Sequence, residues 1–374
     1  MKIIYRLLIL VSLISLTIAN LFAQGEAAVP FLLIDPSAKG NAMAGAMGSV
    51  TNDASANFYN PACLVRTKYI SAESNHIRWV PQFNFDNLHY DQTSVAFRIP
   101  KAGHFGISFC RLDLGENVRT DETGQELGTF DSYEWAFSIG YAYRFSKYAA
   151  IGINFKLIQS NLRDFNVSVG SEEGDGKATG YAFDIGLLFE NIFTESCYYN
   201  RTLDKMYSKW FIHRPPPGLN LGFSISNMGP KISYIDADQA DPLPQNLRLA
   251  ASWNYYDTET LCLITSVDVQ KLLIKKHPDG KSDSFIEAWF TSWDEDGVND
   301  MTLSIGQQIS IMSMVTLRLG FFYEDPNHGD RKYYTYGFSF GPETLSLNIS
   351  WFDEVENESY RDHNTWFWGL SLAY

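Results

Sequence analysis

Side-chain catalysis needs a nucleophile, a base and a group orienting the base, all within hydrogen-bond reach. The natural bases here are seven histidines, His76, His89, His104, His213, His277, His328 and His363. None stands in a G-x-S-x-G elbow or an H-E-x-x-H helix, and several fall in segments that read as loops or strand ends. The reading is therefore no enzyme, with a triad gathered from distant strands as the one arrangement that spacing does not address. Two acidic stretches place oxygen donors near a glycine or at alternate positions, as a calcium loop does. They are Asp294-Glu295-Asp296 with Asn299-Asp300, and Asp325-Pro326-Asn327 with Gly329-Asp330. Neither completes a calcium-loop ligand set and Pro326 interrupts the second, so both read as solvated loops. No metal or other cofactor is expected. Cys63, Cys110, Cys197 and Cys262 contain no C-x-x-C pair, which argues against zinc and thioredoxin chemistry. In an exported protein three disulfide pairings stay open.

Five further charges matter for where they fall. Arg98, Lys156, Asp184, Arg248 and Arg318 sit among Gly, Ser, Asn and Ala on one face of alternating segments whose other face is apolar. A charge facing lipid is costly, so these five are expected to face a lumen. There they either pair with one another, with water or with an inner segment, or line a transport path. A formal net charge of −14 excludes a nucleic-acid partner, which requires the opposite sign.

The elements that position these residues read as a membrane barrel. Lys2 and Arg6 precede an apolar run, Leu7 to Ala19, and Ala23 precedes Gln24-Gly25-Glu26. This is the layout of a cleaved signal peptide over residues 1–23, its apolar run too short for the roughly 20 residues of a membrane-spanning helix. From about residue 68 period-2 alternation dominates. Trp135, Phe137, Ile139, Tyr141, Tyr143 and Phe145 alternate with Ala136, Ser138, Gly140, Ala142 and Arg144. The pattern predicts strands near 68–79, 88–99, 103–111, 131–144, 149–161, 178–189, 218–227, 246–256, 261–269, 301–310, 314–323, 333–340, 344–352 and 364–374. Fourteen is an even count, and long polar connections alternate with tight turns such as Ser146-Lys147 and Gly341-Pro342-Glu343. The fold class expected is all-β, a transmembrane antiparallel β-barrel of 14 strands over 67–374. Outer-membrane lipid is its first partner, and the bacterial outer membrane its location. Aromatic residues at strand ends (Trp253-Tyr255, Tyr323, Tyr333-Tyr334, Trp351) suit interfacial belts. Residues 190–217 form an insertion where a short turn is due, with a helical turn expected near Leu203-Asp204-Lys205-Met206. Residues 284–297 read as a loop helix, because Phe285, Ile286, Trp289 and Trp293 share a helical face. On the last strand Trp366, Trp368 and Tyr374 share one face, resembling the signal that outer-membrane assembly machinery reads.

Residues 24–66 do not alternate. Ser37 can cap a helix through Ala38 to Met47, and Pro61 in Asn60-Pro61-Ala62 fixes the chain direction before the first strand. The segments Phe31-Leu32-Leu33-Ile34-Asp35-Pro36-Ser37-Ala38, Ala44-Gly45-Ala46 and Asp53-Ala54-Ser55-Ala56-Asn57-Phe58-Tyr59-Asn60-Pro61-Ala62 resemble the PorV/PorQ proteins, relatives of the FadL fatty-acid transporters. So do Ile225-Ser226-Asn227-Met228-Gly229-Pro230-Lys231-Ile232, Leu243-Pro244, and Leu317-Arg318-Leu319-Gly320 with Tyr323-Glu324-Asp325. The resemblance implies a fourteen-stranded barrel with residues 24–66 inside it as a hatch, Asn60, Pro61 and Ala62 being the hatch motif. It also implies a role in type IX protein secretion, with a translocon, a cell-surface sortase and secreted substrates as partners. The alternative it carries is a FadL-like transporter of hydrophobic small molecules, for which no sequence block specifies an apolar pocket.

Overall fold

The computed structural model describes residues 27–67, 69–78, 88–120, 123–163, 167–169, 172–174, 176–193, 198–199, 215–234, 240–258, 260–277, 279–294, 297–342, 344–354 and 365–374. The signal-peptide segment, the turn expected at Leu203–Met206, His213, His363 and Cys197 lie outside these residues. Fourteen strands form the wall: β1 (Ile70–Arg78), β2 (His89–Ile99), β3 (Gly103–Thr120), β4 (Glu126–Ser146), β5 (Ala149–Asn161), β6 (Lys177–Ile192) and β7 (Gly218–Met228), then β8 (Asn246–Asp257), β9 (Leu261–Leu272), β10 (Thr302–Ile311), β11 (Val315–Tyr323), β12 (Lys332–Phe340), β13 (Leu345–Glu354) and β14 (Trp366–Ala373). Each pairs antiparallel with its neighbours in chain order, and β14 pairs with β1, so the sheet closes without a free edge.

The alternation becomes an inside and an outside. In β5, Gly152, Asn154, Lys156, Ile158 and Ser160 are buried, whereas Ile151, Ile153 and Leu157 are exposed. The same division leaves Ile139, Tyr143, Tyr181, Phe183, Leu249, Trp253, Leu319, Leu347 and Leu370 on the outer surface. An apolar outer face is stable only against hydrocarbon, and a closed antiparallel ring satisfies every wall amide without water. One end of the barrel has the tight connections, 100–102, 147–148, 258–260, 312–314 and 341–344. The exception at that end is 193–217, whose Tyr198 and Tyr199 pair in parallel with Tyr256 and Asp257.

Two expectations need correction. Residues 112–130 are not a loop: β3 and β4 continue as a paired hairpin to Thr120 and Glu126. Beyond the membrane such a hairpin is stabilised by cross-strand bonds in water, so its polar sequence lacks the apolar face that marks the other strands. The helix expected over 38–47 is a single turn, α1 (Ala38–Asn41). Ser37 caps it as expected, accepting from the Lys39 amide at 3.3 Å. Ala44 and Gly45, at φ 53° and 79°, turn the chain out of the helix. A second turn, α2 (Ala56–Tyr59), leads into a 3-10 turn at Pro61–Arg66. In the β9–β10 connection a turn does form at α3 (Ala288–Thr291). Its start is a capping box, Ser284 and Glu287 each bonding the other's amide.

The β1–β14 seam ends in a reciprocal backbone pair, Ile70 to Tyr374, at 3.0 and 2.7 Å. Trp366 and Trp368 point outward on β14, and the Tyr374 ring lies 6.0 Å from that of Tyr69. The closed barrel should migrate faster unheated than boiled in detergent electrophoresis, with a β-dominated circular dichroism spectrum. Tyr374→Ala removes an aromatic contact worth on the order of 1 kcal/mol. It should lower the fast-migrating fraction in outer membranes while total exported protein stays constant. An unchanged fraction would separate Tyr374 from barrel closure.

Candidate functional site

Residues 27–67 run inside the ring of strands, and inward glycines make the room. A Cβ on Gly152 would strike the backbone of Pro61 and Ala62. One on Gly222 would strike the Gly48 carbonyl, and one on Gly320 the Met43–Ala44 backbone. Gly140, Gly186 and Gly337 stand equally close to Asn57, Asn60 and Ala42. Glycine weakens a strand interior and marks places where another backbone approaches. In the sequence these glycines form part of a small, polar face, and their recurrence in mid-strand is the signal of a close backbone approach. Packing completes the contact, with Ala62, Leu64, Ala96, Ala142, Ala150 and Leu188 forming one buried cluster and Met43, Met47, Tyr59, Cys262 and Ile264 another.

Asn60 ties the segment to itself and to the wall. Its side-chain oxygen accepts from the Ala62 amide at 3.0 Å, which caps the turn that Pro61 begins. Its amide nitrogen donates to the carbonyl of Gly48 at 2.9 Å and to that of Leu187 on β6 at 3.1 Å. Asn60, Pro61 and Ala62 are all buried.

Charges hold the segment at three further places. Lys39 pairs with Asp53 in the segment and, at 3.2 Å, with Glu73 on β1. Ser37 donates to Glu73 at 2.7 Å. Arg66 donates to Glu190 on β6 at 2.8 Å, and Arg144 on β4 meets the other oxygen of that carboxylate. Arg66 also donates to the carbonyls of Ser49 and Thr51 at 2.9 and 2.8 Å. Arg248 on β8 donates to the Gly45 carbonyl at 2.6 Å and pairs with Asp268 on β9 at 2.8 Å. Asp268 in turn accepts from the Gly48 amide. Lys156 pairs with Asp184 at 2.9 Å and donates to Asn227 at 2.6 Å. Arg318 donates to Gln308 and Ser339 at 2.9 and 2.6 Å. Of the five charges expected in the lumen, these four are buried. Arg98 continues the inward row of β2 but is exposed, because it stands at the tight-turn mouth beyond the inner segment. Lys39, Glu73, Arg66, Glu190 and Asp268 were missed, because each needs a partner more than ten residues away to be recognised.

Above the segment, toward the long loops, a cavity of about 490 Å³ opens. Leu32, Phe58, Phe322, Tyr333, Phe352 and Phe367 contribute to its apolar lining, and Asp35, Lys156, Arg248, Asp300 and Arg331 are its charges. The apolar pocket that no sequence block specified is thus assembled from the segment and distant strands. Asp35 accepts from the Tyr59 hydroxyl and, at 3.1 Å, from the Ser37 amide, and burial pushes its carboxyl up to about 6. The acidic loop at Asp325 is already engaged. Asp325 accepts from Asn327 at 2.9 Å, and Glu324 holds Arg331 through both oxygens. In the other, Asp300 pairs with Lys271, and 295–296 lie outside the described residues. Among the described residues no group of three His, Cys, Asp or Glu is placed to hold a metal. Among the described residues no disulfide joins Cys63, Cys110 and Cys262 to one another. His76 and His89 share Asp91 on the outer face, while His277 and His328 pair with loop aspartates.

A closed fourteen-stranded ring around an N-terminal segment anchored at Asn60-Pro61-Ala62 is the frame on which comparison with known proteins acts. The family model described as Type IX secretion system protein PorV matches residues 23–279. The chain belongs to the PorV family. It is a bacterial outer-membrane barrel of type IX secretion, and the match takes in the inner segment and β1 to β9. No curated protein sequence matches it. Among solved structures, the toluene transporter TodX of Pseudomonas putida is 11% identical over 95% of this chain and 99% of its own, with a TM-score of 0.50. A second TodX structure is 12% identical over 94% and 98%, also at 0.50. A FadL homologue of Pseudomonas aeruginosa is 11% identical over 90% and 97%, at 0.48. At these identities the TodX likeness shows the fold alone.

Two measurements test the anchoring. Glu190→Gln leaves Arg66 buried without a counter-charge, a change that costs roughly 3–5 kcal/mol in buried pairs. The temperature at which the fast-migrating band disappears should fall by several degrees; no fall would make the anchor energetically idle. Asp35 binds its proton more tightly folded than unfolded, so its contribution to stability is complete below pH 3.8 and is lost as pH rises through about 6. The stability of Asp35→Asn relative to the parent should therefore rise between pH 4 and pH 7, and a flat difference would refute it.

Proposed function

We propose that residues 24–66 act as a plug, and that this PorV-family barrel works as a closed, protein-binding partner in type IX secretion rather than as a catalyst or an open channel. In this reading the loops and rims engage the translocon, a cell-surface sortase and secreted substrates, while the lumen stays shut to them. The observation that carries it is the anchoring of one inner segment to β1, β6, β8 and β9 by buried charges and hydrogen bonds. A segment so held does not leave a path wide enough for a polypeptide. Eight strands leave room only for side chains and 16 to 18 an aqueous channel, so about fourteen needs a filling. Lys156, Asp184 and Arg248 are read as structural pairs beside that filling, Arg318 as a wall cation bonded to Gln308 and Ser339, and Trp366, Trp368 and Tyr374 as the assembly signal.

A second reading rests on the cavity of about 490 Å³ and its aromatic lining. It makes the protein a carrier of small hydrophobic molecules, as the name of TodX says of that protein. Planar-bilayer recordings and co-purification separate the two. The intact protein should conduct weakly and the 37–62 deletion strongly, and affinity capture from outer membranes should retain translocon or sortase components. Strong conductance by the intact protein would defeat the plug. Capture of no secretion component, together with saturable binding of long-chain fatty acid, would favour the carrier.

A further inference from the structure

The register of β9 places one loop against the membrane. Leu261, Leu263, Thr265, Val267 and Val269 face outward, because Cys262, Ile264, Ser266 and Asp268 between them are buried inside. Lys271 continues the outward row, opposite Leu247 of β8, yet it is only 1% exposed. It is covered from outside. Its ammonium lies 5.0 Å from the centre of the Trp293 ring and pairs with Asp300. The β9–β10 connection therefore folds down over the outer wall instead of standing clear of the rim.

Its height follows from strand geometry. Ten residues separate Leu261, at the tight-turn end, from Lys271. At roughly 3.3 Å per residue and a tilt of roughly 40° that is a climb of about 25 Å, the height of the apolar band of such barrels. The turn α3 thus lies at the outer edge of the hydrocarbon. One side of it, Ala288 and Ser292, is buried against the protein, while Ile286 and Phe290, four residues apart, are 55% and 73% exposed on the other. The capping box at Ser284 and Glu287 and the bond from Thr291 to Asp283 at 2.6 Å hold this presentation in place.

We propose that residues 284–293 form a lipid-interface anchor, in which Ile286 and Phe290 enter the outer leaflet at the boundary of headgroups and acyl chains. Lipid is the occupant because the turn's exposed side points away from a wall whose own outer face is lipid-facing, so the two apolar surfaces are continuous. Trp289 and Trp293, both half-buried, then sit at the level where indole rings favour the water–lipid boundary. An amphipathic turn lying in the interface plane buries its apolar side in this way. The PorV match ends at residue 279, so the anchor lies in a part of the chain that the family match does not cover.

The test uses the full-length protein with its four cysteines replaced by serine, a cysteine at position 290 and a polarity-sensitive fluorophore attached there. It is reconstituted in phosphatidylcholine–phosphatidylglycerol vesicles. Nitroxides on the acyl chains should quench the label severalfold more than aqueous iodide does, and its emission should be blue-shifted. A label at Asp279→Cys, on the exposed hairpin before the turn, should show the reverse. Ile286→Cys is a second labelling site that should behave as Phe290→Cys does, and heat-modifiable migration removes any variant that fails to fold. In native outer membranes, benzoylphenylalanine at position 290 should give lipid adducts on illumination. Quenching by iodide alone, or crosslinking at 290 to another protein or to a second copy of this chain, would overturn the proposal.

Discussion

The width of the ring is the constraint from which the rest follows. Hydrocarbon offers no hydrogen bonds, so a spanning sheet must close on itself. Closing fourteen strands encloses more space than their own side chains fill. The inner segment meets that requirement with backbone as well as side chains. This is why the facing strand positions are glycine: Gly152 against Pro61, Gly222 against Gly48 and Gly320 against Met43. The usual penalty of glycine within a strand is offset by a contact that no other residue allows.

Filling a polar lumen differs from filling an apolar core. The inward face of the wall is rich in Ser, Asn and charged residues, so the segment is held by hydrogen bonds and ion pairs with apolar packing between them. The charges that hold the segment are partnered: Lys39 lies between Asp53 and Glu73, Glu190 between Arg66 and Arg144, and Asp268 between Arg248 and the Gly48 amide. Such pairs add little net stability against an apolar alternative, but breaking one leaves a bare charge. They therefore act less as glue than as a register, holding the segment in one position.

The same arrangement divides the interior into a part filled by the segment and a hollow above it. Where the segment is tied on several sides, its backbone and side chains occupy the lumen. Above it, the Phe322–Tyr333 stack at 4.7 Å and Phe352 border a largely apolar hollow.

Much of the wall was legible in the sequence, because lipid on one side and a polar lumen on the other impose strict alternation. Strand number, tight turns and the outward aromatic residues follow from that period alone. Ser37 as a cap, Pro61 as a turn opener and the turn near Ala288 were legible as local chemistry, which depends on neighbours a few residues away. Tertiary structure alone decided three things. It shortened the expected helix to Ala38–Asn41, since Ala44 and Gly45 must turn to follow the wall. It paired Lys39 with Glu73 and Arg66 with Glu190, partners 34 and 124 residues apart. It also turned Lys271 from an outward charge into one covered by Trp293 and Asp300. Periodicity records which side of a strand meets lipid; it carries no record of which distant residue arrives on the other side, because that depends on how the ring closes.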